Sequence, residues 1–414
     1  MTDNLAHHFL LDDGVVFLNH GSYGACPRSV FRAYQDWQLQ LERQPVAFLD
    51  AKRGLKDWML RARTMLATEL GTSPDNIVGQ MNATYALNVV AQSLALQPGD
   101  EILTTDHEYA ALEKTWAYVC RKTGARIVVA PVALPLTSEP SFTQAITDAM
   151  TDRTKVLFLS HITSATALVF PIENVVAEAR RRGIWSVIDG AHTPGHIKLN
   201  LDALDADFYA GNCHKWLMAP KGSAFLYVRP ALQALINPLV ISHGWQAGAQ
   251  GVDPGPFGAT AFIDSLEMQG TRDPAAWLTV PMAIEFRHAH DWDTVARQCR
   301  QMAQDTARRL ATLTHLPPLS TAEFCAPQMV SMPIPDCDID ALKDRLMDHW
   351  HIEIPCFRWK DRCIVRLSVQ GYTTQAQLDL LIRALTQELS LAPGLQSPLR
   401  NPVRAGKAGP ALTE

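Results

Sequence analysis

Apolar positions recur along this chain with two periods, and the period changes often enough to divide it into elements. Residues 28 to 44 and 50 to 70 carry helical spacing, with Phe31, Tyr34, Trp37 and Leu41 on one stripe of the first. Residues 71 to 76 break the second helix, 77 to 81 read as a short strand, and 82 to 96 as a helix. Strands at 101 to 105, 126 to 130, 155 to 160 and 185 to 188 then alternate with helices at 106 to 122, 141 to 150 and 171 to 182. Such alternation predicts an α/β fold with a mainly parallel sheet covered on both faces. A strand at 224 to 228 and a Gly- and Pro-rich connection at 244 to 258 lead to helices at 274 to 289 and 294 to 313. The remainder reads as a smaller α+β unit, with strands at 328 to 333, 352 to 357 and 363 to 368 and helices at 338 to 349 and 374 to 390. Residues 393 to 414 lack apolar patterning and are expected to form a loose tail, and no internal repeats are present.

Composition narrows the class. With 414 residues, 47% hydrophobic and 19% charged, the chain can bury a large core and reads as a soluble globular protein. A net charge of −5 and the lack of a long Lys/Arg run argue against a nucleic-acid partner. The first residues show neither a basic n-region nor a long apolar h-region, and no stretch approaches the ~18 apolar residues of a membrane span. The eight cysteines are scattered without a C-x-x-C, so no disulfide framework or zinc site is expected and a cytoplasmic location fits best.

Polar residues recur where the predicted strands end. They are His107, His161 with Thr163 and Ser164, Asp189 with His192, and His214 with Lys215. In a parallel sheet, ligands collect at these carboxyl ends. An acid at one strand end and a lysine at the next could hold a pyridine-type cofactor by its two ends. Asn82, Ala83 and Thr84 fall at a helix N-terminus, which favours an anion, although simple capping explains them as well. Near the start, an apolar run ends in Asn19 and His20, followed by Gly21 and Gly24, where the backbone can turn or approach a ligand closely. Arg366 lies within the apolar strand C-I-V-R-L-S-V, where burial without a partner is costly. Its partner is either an internal acid or a substrate carboxylate.

Taken in order, F-L-N-H-G-S-Y-G, N-A-T-x-A-x-N, D-H-E-Y, S-H-I-T-S, I-D-G-A-H, G-N-C-H-K-W and V-R-L-S-V-Q-G-Y resemble the class V aminotransferase group of pyridoxal-phosphate enzymes of fold type I. Within that group the likeness is to isopenicillin N epimerase and its relatives, over residues 14 to 390. The resemblance implies the aspartate aminotransferase-like fold, with a mainly parallel seven-stranded sheet in a large domain plus a smaller α+β C-terminal domain. Residues 1–27 would form an N-terminal segment at the site's mouth, 28–290 the large domain, 291–392 the small one and 393–414 a flexible tail. It also implies a homodimer with shared sites.

The resemblance assigns roles. Lys215 would carry pyridoxal 5′-phosphate as a Schiff base and later move protons at Cα. Asp189 would keep the pyridine nitrogen protonated, which makes the ring an electron sink. His107 would stack on the ring, and His192 and Ser164 would lie near its phenolate oxygen; desulfurases carry Asn at the position of Ser164. Thr84, Asn212 and His214, with the backbone at Ala83, would hold the phosphate. Thr271 would reach the phosphate of the neighbouring subunit. Arg366 would take the substrate α-carboxylate, with His20 and Tyr23 at the pocket mouth. Trp245, Phe257, Arg358 and Trp359 are candidates for the side-chain pocket.

The substrate is then an amino acid, and three reactions compete. Epimerisation needs a proton removed on one face and returned on the other, and no second acid/base is identifiable beside Lys215. A C–S β-lyase acting on a cysteine conjugate or sulfoxide needs Lys215 alone. Transamination needs only reprotonation at the cofactor. Cysteine desulfuration requires a mobile nucleophilic cysteine ahead of the arginine, and the tight hairpin expected at 351 to 366 disfavours it.

Overall fold

The computed structural model of the chain describes residues 5–245 and 255–391. The strands in chain order are β1 (Val16–Phe17), β2 (Ile77–Gln80), β3 (Glu101–Thr105), β4 (Arg126–Ala130), β5 (Thr154–Ser160) and β6 (Trp185–Gly190). They continue with β7 (Phe208–Asn212), β8 (Ala224–Val228), β9 (Met329–Ile334), β10 (Ile352–Glu353), β11 (Cys356–Trp359) and β12 (Arg362–Ser368). Seven form the central sheet in the order β2-β8-β7-β6-β5-β3-β4. Only β8 runs antiparallel to its neighbours, so the expectation of a mainly parallel seven-stranded sheet holds.

Burial on both faces explains the near-continuous apolar strands. Val156 and Phe158 of β5 join a cluster with the helices Ala83–Ser93 and Ala110–Thr123, while Leu157 and Leu159 join the opposite cluster with the helix Glu173–Arg181. Successive side chains of a strand point to opposite faces, so one run of residues feeds two cores. The helix Leu55–Leu70 stops at Gly71, whose φ of 64° suits the left-handed cap. All the parallel strands end at one edge, which places the ends of β5, β6 and β7 side by side.

The C-terminal unit is the antiparallel sheet β11-β12-β9 with the helices Ile339–Trp350 and Gln375–Glu388, preceded by the long helix Trp292–Thr314. The N-terminal segment belongs to this unit by its hydrogen bonds. β1 pairs with β10, and the Ser368 N–H donates to Leu18 O at 2.9 Å. We propose that the chain divides near residue 290, as the sequence suggested; the tail expected over 393–414 lies outside the described residues.

Several elements differ from expectation: the helix expected from residue 106 begins at Ala110, and the one expected over 274 to 289 is broken after Leu278. The strand expected over 352 to 357 is split into β10 and β11, because Pro355 between them has no N–H for a ladder, although its carbonyl still accepts from the Arg366 N–H at 2.9 Å. The apolar run near the start gives only two strand residues before the chain turns into the short helix His20–Tyr23. Among the described residues no helix is long and apolar enough to cross a membrane.

Candidate active site

A cleft of about 660 Å³ opens at the carboxyl ends of the parallel strands. Ser160, Asp189 and Asn212 come from the last residues of β5, β6 and β7. Ser164, His192, His214 and Lys215 come from the segments that follow those strands, and Ala83 and Thr84 from the first turn of the helix Ala83–Ser93. Arg366 enters from β12, and Gly21, Ser22 and Tyr23 from the N-terminal segment. Three parts of the chain that are distant in sequence thus meet at one edge of the sheet.

Lys215 Nζ lies 3.0 Å from His192 Nε2. Burial, and then the charge of Arg366, lower the Lys215 amine to about 7, against the opposing pull of Asp189. A lysine so placed is half neutral near pH 7. Asp189 is held by the Ala191 N–H, 2.8 Å from its Oδ1, yet burial raises it above the usual carboxylate range. Behind it Glu108 is pushed up to about 7 by burial, while Thr105 Oγ1 and Ser160 Oγ, each at 2.6 Å, donate to it.

The helix N-terminus is organised for an anion. Asn212 Oδ1 accepts from the Ala83 N–H at 2.9 Å, and Asn82 Oδ1 caps Tyr85 at 2.8 Å. The N–H of Thr84, between them, has no protein partner among the described residues. His214 lies alongside, with Nδ1 3.3 Å from Ser223 O.

Arg366 is 6% exposed and is hydrogen-bonded to neutral oxygens alone, Ser164 O at 2.7 Å, Ser164 Oγ at 3.1 Å and Ser22 Oγ at 2.9 Å. Its Nε is buried with no partner, and among the described residues no carboxylate pairs with it. A buried guanidinium in this state is short of an anion. Among the described residues the internal salt bridge that the sequence left open is therefore absent.

Two residues expected at the cleft lie elsewhere. His107 is fully buried, its Nδ1 bonded to Thr166 Oγ1 at 2.8 Å and its Nε2 3.4 Å from Val132 O. It faces Trp359 and Phe170, so its ring is not free to cover a cofactor. Tyr109, two residues on and 45% exposed at the start of the helix Ala110–Thr123, lines the cleft instead. His20 is likewise fully buried and grips the Lys215 carbonyl at 3.1 Å rather than reaching the mouth, where Tyr23 stands 72% exposed. Thr271 sits on the surface, outside the cleft of its own chain. None of Trp245, Phe257, Arg358 and Trp359 lines the cleft either. Ser22, Met81, Tyr109, Ser160 and Lys221 do, and had drawn no attention in the sequence. The one usable signal was the motif D-H-E-Y itself, whose last residue, not its second, falls at the helix start.

Gly24 fixes the wall behind the lysine. Its φ is 72°, and a Cβ there would stand 1.9 Å from His214 O. Gly24→Ala is expected to displace the His214–Lys215 backbone and to cost about 1–3 kcal/mol, read as a lower unfolding midpoint together with weaker cofactor retention. An unchanged midpoint would show that this contact does not matter.

Residues 23–381 match the family described as aminotransferase class-V. The chain is 36% identical to the isopenicillin N epimerase of Amycolatopsis lactamdurans, over 94% of this chain and 98% of that one. It is 27% identical to a probable chloroplastic L-cysteine desulfhydrase of Arabidopsis thaliana, over 85% and 76%. Among solved structures, a C-DES mutant with glycine covalently linked to its PLP cofactor superposes with a TM-score of 0.78 at 22% identity, covering 92% of this chain and 98% of that one. The chain therefore belongs to the class V aminotransferase family. It is an enzyme of that family's pyridoxal-5′-phosphate-dependent kind, and the cleft fits the group: a buried amine, an acid facing it, and a helix N-terminus with an open N–H.

Proposed function

We propose that the protein acts at the Cα of an amino-acid substrate and that its reaction is an epimerisation or racemisation like that of isopenicillin N epimerase. The observation that carries the first part is a buried arginine without an anion, sharing one cleft with a lysine whose amine is lowered to about 7. The choice of epimerisation follows the 36% identity, over nearly the whole of both chains, to an isopenicillin N epimerase.

When bound, pyridoxal phosphate supplies an electron sink that weakens the bonds at Cα. Lys215 holds the cofactor and exchanges the Cα proton. Asp189 would keep the pyridine nitrogen protonated, and its burial leaves little water to compete for that role. Thr84, the backbone at Ala83, Asn212 and His214 would hold the phosphate, and Tyr109, in place of His107, would cover the ring. Ser164 and His192, which line the same cleft, would serve the ring oxygen. Arg366 takes the substrate carboxylate in a two-pronged contact, and Tyr23 closes the mouth. Thr271, on the surface, is assigned to the partner's phosphate in a homodimer with shared sites. Eight unpaired cysteines suit a reducing, cytoplasmic setting.

A C–S β-elimination is the second reading, favoured by the likeness to the desulfhydrase and by its need for Lys215 alone. Desulfuration is disfavoured, because none of the cysteines lines the cleft and Cys356, pushed up to about 12 by burial, is a poor nucleophile. Chiral chromatography of L-amino acids incubated with the enzyme is expected to show the opposite enantiomer, without a keto acid. Pyruvate and ammonia from a cysteine S-conjugate would instead select the lyase, and a keto acid coupled to amination of a second substrate would select transamination.

The lowered amine makes a separate prediction. Only neutral Lys215 can attack the cofactor aldehyde, so cofactor uptake by the cofactor-free protein should speed up as pH rises through about 7 and level off above it. A stopped-flow profile that rises only near pH ~10, the ordinary lysine range, would contradict it.

A further inference from the structure

Behind Lys215, three imidazoles pack around one indole. Trp216 is fully buried; His196 stacks on it with centroids 4.0 Å apart and planes at 18°, and His20 lies against it at 4.9 Å. His192 meets its edge, 3.4 Å from the indole Nε1. Each imidazole has a partner that only accepts or only donates a proton, because a carbonyl accepts and a backbone or indole N–H donates. His20 Nε2 meets both Lys215 O at 3.1 Å and the Gln370 amide nitrogen at 3.2 Å, while its Nδ1 meets the Ala25 N–H at 3.2 Å and the Tyr372 hydroxyl at 3.0 Å, so these partners do not select one tautomer for this ring. In His196 the hydrogen falls on Nδ1, which faces His192 O at 3.0 Å, and Nε2 receives the Gln328 N–H at 2.9 Å. His192 Nδ1 receives the indole N–H, which leaves its hydrogen on Nε2, aimed at Lys215 Nζ 3.0 Å away.

We propose that Trp216 is a positioning residue that locks His192 as a neutral Nε2–H donor, so that His192 cannot take up a proton and Lys215 is the base of this wall. A second proton on any of the three rings would set N–H against N–H. The lone pair of the neutral Lys215 amine accepts the His192 Nε2 hydrogen, and the other charged groups that face the cage, Lys221, Arg287 and Arg366, are all cations, with His214 beside His192. They oppose a further positive charge there, and Asp189, the acid on this side, faces Lys215. The lock deepens the reading above and rests on it only for its consequence: in an epimerisation, the acid or base of the opposite face is not His192.

The test is long-range proton–nitrogen NMR of the holoenzyme labelled with nitrogen-15 at histidine, with the His192 signals assigned by their loss in His192→Gln. In the wild type, His192 is expected to keep the neutral Nε2–H pattern from about pH 5.5 to about pH 9. In Trp216→Phe, which keeps a ring between His20 and His196 but removes the N–H, the same signals should titrate within that window. Below the new pKa, kcat/KM should fall about tenfold per pH unit. A wild-type His192 that carries its hydrogen on Nδ1, or that titrates in the window, overturns the proposal even if Trp216→Phe does not fold. So does a folded Trp216→Phe whose His192 signals match the wild type. The pattern is read without turnover, so its failure leaves the proposed reaction standing, and a different reaction leaves the tautomer standing.

Discussion

Lys215→Ala is expected to lower kcat/KM by about four orders of magnitude, the upper range for loss of a general base, and more if cofactor attachment also fails. The same variant should lose the absorbance band near the visible edge that a lysine-bound cofactor gives, while keeping its fold. The reason lies in the packing. Lys215 follows β7 on a segment whose carbonyl is held by His20 and whose wall is fixed by Gly24, so no other amine can take its place. Lys221 is the other lysine that lines the cleft, and its Nζ is tied to Gly24 O at 2.9 Å. Wild-type activity in this variant would remove Lys215 from the chemistry.

Arg366→Lys is expected to raise KM for α-amino acids about 100-fold with a smaller change in kcat, because an ammonium cannot make the two-pronged contact with a carboxylate. Arg366→Leu has a further signature. The arginine's charge helps hold Lys215 down, so its loss lets the amine rise above about 7. The pH at which cofactor uptake reaches half its maximum should therefore move upward. Steady-state kinetics and stopped-flow uptake check the two effects separately. An unchanged KM in both variants would show that the substrate carboxylate binds elsewhere.

The parallel sheet and the Asp189–Lys215 pair were legible because each is written in a local pattern. Apolar runs of strand length end in polar residues, and a parallel sheet brings those ends together. Arg366 was legible as an energetic anomaly, a guanidinium in an apolar strand, and the structure leaves it without a protein anion. What failed were the turns. In D-H-E-Y the strand stops at Thr105 and the helix starts at Ala110, and the turn between them has no period from which to read orientation. It sends His107 and Glu108 inward and Tyr109 to the cleft. In N-H-G-S-Y-G the short helix His20–Tyr23 buries its first residue under Lys215 and presents its last to the cleft. Side chains alternate faces along a strand but not along a helical turn, so the apolar run before this segment could not show which of its residues faces inward.

The central claim is that one cleft, built on Lys215 and Arg366, moves the Cα proton of an amino acid. It is tested most directly by proton NMR of amino acids incubated with the holoenzyme in deuterium oxide. Loss of the Cα–H signal of an accepted substrate is expected, together with growth of the other enantiomer on chiral chromatography of the same sample, and neither change with Lys215→Ala. Holoenzyme that turns over an amino acid while its Cα–H signal persists, or equal exchange in Lys215→Ala, would contradict it.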